Sequence, residues 1–216
     1  VKTIDQQHYL TLVASATVLE RDAHGAKVLA LPGGEFVKLF RRKRWLSSAL
    51  FFPYARRFIR NAARLARLGI PTVTVLDAAY CPAVRRHLVT YRPLPGMTLR
   101  QALAAAETDG MALLREFAQF VALLHQRGVY FRSLHLGNVI VPDQGTGLGL
   151  IDVADMSISR SALPAGQRAR NFRHMLRYRE DVGYLKQFGS AWFLEQYFAA
   201  ANLALPEQKL FSGLLD

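Results

Sequence analysis

The order of apolar and polar positions divides the chain into a β-rich first third and a mostly helical remainder. His8 to Leu19 alternates loosely and is rich in Leu, Val and Thr, and two shorter apolar runs follow, Lys27 to Leu31 and Glu35 to Phe40. The turn residues Arg21-Asp22-Ala23-His24-Gly25 and Pro32-Gly33-Gly34 separate them. Such runs bounded by Gly and Pro predict three antiparallel strands joined by tight turns. From Leu46 to Leu68 the period lengthens to that of a helix, with an interruption near Pro53. Arg56, Arg60, Arg64 and Arg67 share one face, and Phe58, Ala62 and Leu65 fill another. Gly69-Ile70-Pro71 ends the helix. Thr72 to Leu76 and His87 to Tyr91 read as two more strands, with a turn around Cys81-Pro82.

Arg92-Pro93-Leu94-Pro95-Gly96 interrupts any regular element and divides the chain into units 1–92 and 93–216. A short helix begins at Thr98, and a longer one runs from about Gly110 to Gln126, closed by Gly128. Two short β segments, Gly137 to Val141 and Gly147 to Val153, flank the turn Pro142-Asp143-Gln144-Gly145. From about Gly166 the pattern is helical again. Trp192, Phe193, Tyr197 and Phe198 are spaced as a core stripe.

Composition narrows the class. Of 216 residues, 51% are hydrophobic and 20% charged, which predicts a folded chain able to bury a core without staples. The single cysteine, Cys81, excludes an internal disulfide framework and fits a reducing compartment. No stretch approaches the ~20 apolar residues of a membrane span, and Val1-Lys2-Thr3-Ile4-Asp5 has no signal-peptide core, so a soluble, cytoplasmic protein is expected. The formal net charge of +12 points to an acidic partner. Between Phe36 and Leu76 there is no Asp or Glu, while Lys38, Arg41, Arg42, Lys43, Arg44, Arg56, Arg57, Arg60, Arg64 and Arg67 supply ten positive charges.

Three segments carry candidate chemistry. Phe36-Val37-Lys38-Leu39-Phe40 places a lysine inside a strand, where by itself it is more often a solvated surface group than a binding residue. Tyr130-Phe131-Arg132-Ser133-Leu134-His135-Leu136-Gly137-Asn138-Val139-Ile140-Val141 places an amide at a turn, and Leu148-Gly149-Leu150-Ile151-Asp152-Val153 ends a strand on a carboxylate. An Asn oxygen and an Asp carboxylate are hard ligands suited to Mg²⁺, although a turn residue and a strand-end cap account for each one alone.

In this order the segments resemble the protein-kinase-like fold, and nearly the whole chain is similar to the lipopolysaccharide-kinase and toluene-tolerance group. The central segment resembles that group's catalytic loop, HxDLHxGNxxx. The hinge Arg92 to Leu99 and Tyr178-Arg179-Glu180-Asp181 resemble softer motifs of the same group. The resemblance implies an α+β, two-lobed fold with a small antiparallel-sheet N-lobe and a mainly helical C-lobe. It also implies ATP and Mg²⁺ as cofactors, with Lys38 on the α and β phosphates and Asn138 and Asp152 on the metal. Members of the group phosphorylate core sugars of lipopolysaccharide, and some are only presumed kinases.

Three departures bear on activity. Ser133 stands where the proton-accepting aspartate is expected, and Phe131 where a histidine is. A serine is no base near neutral pH. His135 is titratable nearby, as a replacement base or as a loop-structuring histidine, and relatives that keep the aspartate carry a histidine there too. The helix before Leu68 has no acidic residue to pair Lys38; Asn61 is the polar substitute to examine, and otherwise Asp152 or the nucleotide must serve. No GxGxxG is present, and Leu12-Val13-Ala14-Ser15-Ala16-Thr17 occupies the expected place.

The expected function is phosphate transfer from ATP to a sugar hydroxyl of a lipopolysaccharide-core or other acidic glycolipid. The alternative is a pseudokinase, a nucleotide-binding or scaffold module in envelope biogenesis or stress tolerance. Trp45, Leu46, Leu50, Phe51, Phe52 and Tyr54 accompany the arginines, which suits peripheral contact of segment 41–67 with an anionic inner membrane, although a charge run is also a common solvated face. A third reading, nucleic-acid binding, lacks any accompanying motif. The six histidines and one cysteine show no metal-ligand spacing.

Overall fold

The computed structural model describes residues 1–41, 54–105, 109–145 and 147–214. The N-lobe is built on a six-stranded sheet, ordered β1-β5-β6-β4-β3-β2. Its strands are β1 (Lys2–Thr3), β2 (Thr17–Asp22), β3 (Gly25–Ala30), β4 (Phe36–Arg41), β5 (Thr74–Cys81) and β6 (Arg86–Arg92). Only the β1–β5 pair is parallel. Helices cover both faces. α1 (Gln6–Ser15) packs Tyr9, Leu12 and Val13 against Leu29, Val37, Leu39 and Leu88. On the opposite face, α2 (Tyr54–Arg67) buries Ala55, Phe58, Ala62 and Leu65 with Val89 and Tyr91.

The strand expected over His8 to Leu19 is therefore a correction: residues 6–15 are helical, and the strand starts only at Thr17. Asp5 caps this helix by accepting the His8 amide at 2.8 Å, and the 3–4-residue spacing of Tyr9, Leu12 and Val13 gives it one apolar side. The displaced feature matters to the cleft. Leu12 to Thr17 spans the end of α1 and the start of β2 rather than a turn between two strands; the turn that joins β2 to β3 runs through Ala23 and His24. Of the helix predicted from Leu46, residues 54–67 are confirmed, and the part up to Pro53 lies outside the described residues. The same holds for Arg42, Lys43, Arg44 and the aromatic residues Trp45, Phe51 and Phe52.

The C-lobe follows the connection at Arg92. β7 (Gly96–Thr98) pairs with β9 (Val139–Pro142), which pairs with β10 (Gly149–Leu150). α3 (Leu99–Ala104) starts with a capping box between Thr98 and Gln101, and α4 (Gly110–Gln126) packs along α7 (Ser190–Ala201). α5 (Ala165–Met175), α6 (Arg179–Phe188) and α8 (Leu205–Gln208) complete it. Phe193 and Tyr197 are fully buried among Phe172 and Phe211, as the stripe predicted. An additional short pair, β8 (Val129–Phe131) with β11 (Met156–Ile158), escaped the sequence pattern because each strand is only three residues long. The lobes also touch through Thr72 and Pro71, whose Oγ1 and carbonyl bond the carbonyl and amide of Leu150 at 2.7 and 2.9 Å.

Candidate active site between the lobes

A cleft of about 780 Å³ opens between the lobes, and Lys38, Ser133, His135, Asn138 and Asp152 all line it. Strand pairing brings them in. β4 is central in the sheet, and its alternation turns Val37 and Leu39 toward α1 while Lys38 faces the cleft. Asp152 follows β10 with φ of 52°, a left-handed conformation that Asp tolerates better than most residues. This directs its carboxylate back to Lys38, and Nζ to Oδ1 is 2.7 Å. Lys38 is 6% exposed and also lies 5.9 Å from the centre of the Phe58 ring. A buried ammonium needs an anion, and here it is Asp152.

Asn61, the polar substitute considered for pairing Lys38, does something else. Its amide nitrogen donates to the carbonyls of Val153 and Met156 at 2.8 and 3.2 Å, tying α2 to the backbone just after Asp152. An amide can satisfy two backbone carbonyls in this way, which explains a fully buried Asn on an otherwise apolar helix face.

The loop from Phe131 to Asn138 is held from below. Asn171 on α5 donates to the Phe131 carbonyl at 2.7 Å and accepts its amide at 3.2 Å. Asn171 in turn meets His125, which contacts the Tyr197 hydroxyl at 2.7 Å. Burial pushes His125 down to about 3, so it is neutral. Asp181, 1% exposed, accepts the Leu136 amide at 2.8 Å and the Arg100 guanidinium at 2.8 and 2.9 Å. Asn171 and Arg100 stand in no sequence motif that marks them. They lie 40 residues after Phe131 and 36 before Leu136, and only the packing of α5 and α3 brings them to the loop.

Within the loop, Asn138 donates its amide nitrogen to the Ser133 carbonyl at 2.9 Å, which turns its oxygen to the other side. Asn138 and Asp152 line the same cleft, and an amide oxygen with a carboxylate would suit a small divalent cation whose remaining ligands are water or phosphate. Among the described residues no group of three His, Cys, Asp or Glu side chains is placed to hold a metal without such help. His135 packs against Tyr178 with ring centres 4.2 Å apart and planes tilted by 40°, and its Nδ1 accepts the Gly137 amide at 3.2 Å. Burial lowers its pKa, opposed by Asp181 and assisted by Arg100. The neutral ring with Nδ1 as acceptor carries its proton on Nε2, so its lone-pair nitrogen is already engaged in the loop.

The cleft also holds groups that the sequence pattern did not mark. Glu20 on β2 and Lys27 on β3 line it and form an ion pair with each other. Val28, Phe36, Tyr91, Leu94, Ile140 and Ile151 make up its apolar side. An apolar slot ending in a buried cation, an amide and a carboxylate suits a flat molecule that carries an anionic chain. Just outside, Asp155 stands 3.9 Å from Arg57 on α2 and 3.7 Å from Arg132.

No family model and no curated protein matches the chain. Solved structures do. WaaP bound to acyl carrier protein is 19% identical, with a TM-score of 0.54 covering 95% of this chain and 93% of that one. WbdD, in complex with the kinase inhibitor LY294002, is 18% identical with a TM-score of 0.51; 87% of this chain aligns, spanning 42% of WbdD. A divergent kinase lacking the glycine-rich loop, which regulates membrane ultrastructure of the Toxoplasma parasitophorous vacuole, is 14% identical with a TM-score of 0.52, covering 99% of this chain and 87% of that one. With its sheet, its interlobe cleft and these neighbours taken together, the chain has the two-lobed protein-kinase-like fold that its sequence led us to expect.

Proposed function

We propose that the protein binds Mg²⁺-ATP in the interlobe cleft and transfers phosphate to a sugar hydroxyl of an envelope glycolipid, in the manner of the lipopolysaccharide-core kinases its sequence resembles. The observation that carries this reading is the meeting of Lys38, Asn138 and Asp152, from three distant segments, around one cleft with an apolar flank. Lys38 would contact the nucleotide phosphates as a point charge, exchanging Asp152 for them. Asn138 and Asp152 would hold the Mg²⁺, which when bound supplies charge neutralisation on the phosphates. Ser133 lines the cleft, and on this reading it would orient the acceptor hydroxyl by a hydrogen bond without removing its proton.

Missing a general base costs roughly 10²–10⁴-fold, whereas phosphoryl transfer draws mainly on positioning and electrostatics, so slow turnover is compatible with this site. The pseudokinase reading is favoured by one specific arrangement: Ser133 is no base, and the lone-pair nitrogen of His135 is taken by the Gly137 amide. On either reading the arginine-rich face of α2 supports a peripheral association with anionic glycolipid or the inner membrane.

The test is thermal denaturation of the whole chain with and without Mg²⁺-ATP. A rise in Tm that disappears in Lys38→Ala and Asp152→Asn supports the nucleotide site, and no rise at any concentration removes it. Transfer of labelled phosphate to purified glycolipid then separates the two readings. Measurable transfer, raised about 10²-fold or more by Ser133→Asp, supports the kinase; transfer seen only in the Ser133→Asp variant supports the pseudokinase.

A further inference from the structure

The β2–β3 hairpin covers the cleft, yet its turn is poorly placed to offer backbone amides to a phosphate. Asp22 accepts the His24 amide at 2.7 Å, and Arg86 on β6 holds the carbonyls of His24 and Ala26 at 2.6 and 3.0 Å. With Gly25 at φ of 107°, this makes a short turn fastened to its own sheet. A phosphate chain lying against Lys38 therefore needs its second cation from a side chain.

One is in place. Glu20, Val28, Lys38 and Val89 pair in a single line across four strands, and Lys27 sits beside that line on β3. Lys27 lines the same cleft as Lys38, with its ammonium on Glu20 and its side chain 33% exposed. Burial works against its charge, but the Glu20 carboxylate and, more weakly, Asp152 hold the Lys27 pKa above its ordinary value. Lys27 and Lys38 thus line one cleft, each resting on a carboxylate that a polyphosphate would replace.

We propose that Lys27 is a second phosphate-binding residue of the cleft, supplying from a strand side chain the positive charge that glycine-loop amides supply elsewhere, with Glu20 as its resting counterion. This rests on the nucleotide reading above, and it adds a specificity: the cleft selects for phosphate chain length rather than for the base alone.

Titration calorimetry on the whole chain with ATP, ADP and adenosine in Mg²⁺ buffer tests it, using Lys27→Ala, Lys27→Arg and Glu20→Gln. The expected result is that Lys27→Ala weakens ATP about tenfold and leaves adenosine unchanged, since a hydrogen bond to a charged group has about that value. Lys27→Arg should keep most of the affinity, and Glu20→Gln should tighten ATP by removing a competing anion. If the wild type binds ATP and Lys27→Ala binds it equally well, the proposal is overturned while the nucleotide site stands. Equal losses for ATP and adenosine would assign Lys27 a purely structural role, also against it. Failure of the wild type to bind any of the three would remove the nucleotide reading and this inference together. Should Lys27→Ala not fold, Glu20→Gln decides the matter: unchanged or weaker ATP binding overturns the proposal.

Discussion

Two buried residues beneath the loop from Phe131 to Asn138 determine its shape, and each makes a measurable prediction. Asp181 satisfies a backbone amide and a guanidinium at once. Asp181→Ala leaves Arg100 and Leu136 without their acceptor, and a loss of about 3 kcal/mol in urea denaturation is expected, because breaking one side of a buried ion pair costs more than the pair contributes. His125 makes a pH prediction. Its pKa is held at about 3 in the folded chain against about 6.5 when unfolded, so below pH 6.5 the unfolded chain binds a proton that the folded one does not. The contribution is fully present above pH 6.5 and falls by about 1.4 kcal/mol per pH unit toward pH 3. A denaturation series between pH 7 and 4 should show a shallower decline for His125→Gln than for the wild type, and parallel curves would dismiss the role.

At the scale of elements, α2 has two unlike functions on two faces. Its buried face fills the space between sheet and C-lobe, and Asn61 on that face fastens it to the backbone carrying Asp152. Asn61→Leu keeps the volume but strands two carbonyls, so a loss of about 1–2 kcal/mol is expected by chemical denaturation, together with a weaker ATP-induced Tm shift. An unaltered shift would mean that α2 does not position Asp152. α1 shows how a local pattern misleads. Its Thr and Val residues favour a strand by propensity, but the Asp5 cap and the apolar face of the sheet select a helix. The cap was visible in Asp5-Gln6-Gln7-His8; the sheet face that rewards it was not.

Across the whole molecule, the excess charge lies on more than α2. From Met156 to Arg179 there is again no carboxylate, and Arg160, Arg168, Arg170, Arg173, Arg177 and Arg179 follow one another. Arg170, Arg173 and Arg177 are exposed, and His174 beside them is lowered first by burial and then by the surrounding Arg177 and Arg132. Arg57 and Arg132 meet at Asp155, linking this region to α2. Sedimentation with vesicles of phosphatidylglycerol and phosphatidylcholine should therefore show binding that falls several-fold as salt rises from about 50 to 200 mM, since exposed charges are screened over that range. Arg56→Ala with Arg64→Ala and Arg67→Ala should weaken it further, and equal binding to uncharged vesicles would exclude an electrostatic association. Among the described residues no helix is long and apolar enough to cross a membrane.

The sequence by itself determined the long periodic helices and the three groups that line the cleft, because Lys38, Asn138 and Asp152 each sit in a local motif that survives translation into structure. It also determined what is missing, since a serine at 133 and a helix without carboxylates can be read without coordinates. Only the tertiary structure decided that Lys38 pairs with Asp152 rather than Asn61, that Asp181 and Asn171 hold the loop, and that Lys27 and Glu20 share the cleft. Those contacts join residues tens of positions apart or depend on which way a strand faces. A local period reports which face is apolar, while the partner of a buried charge is set by whichever element packs across from it.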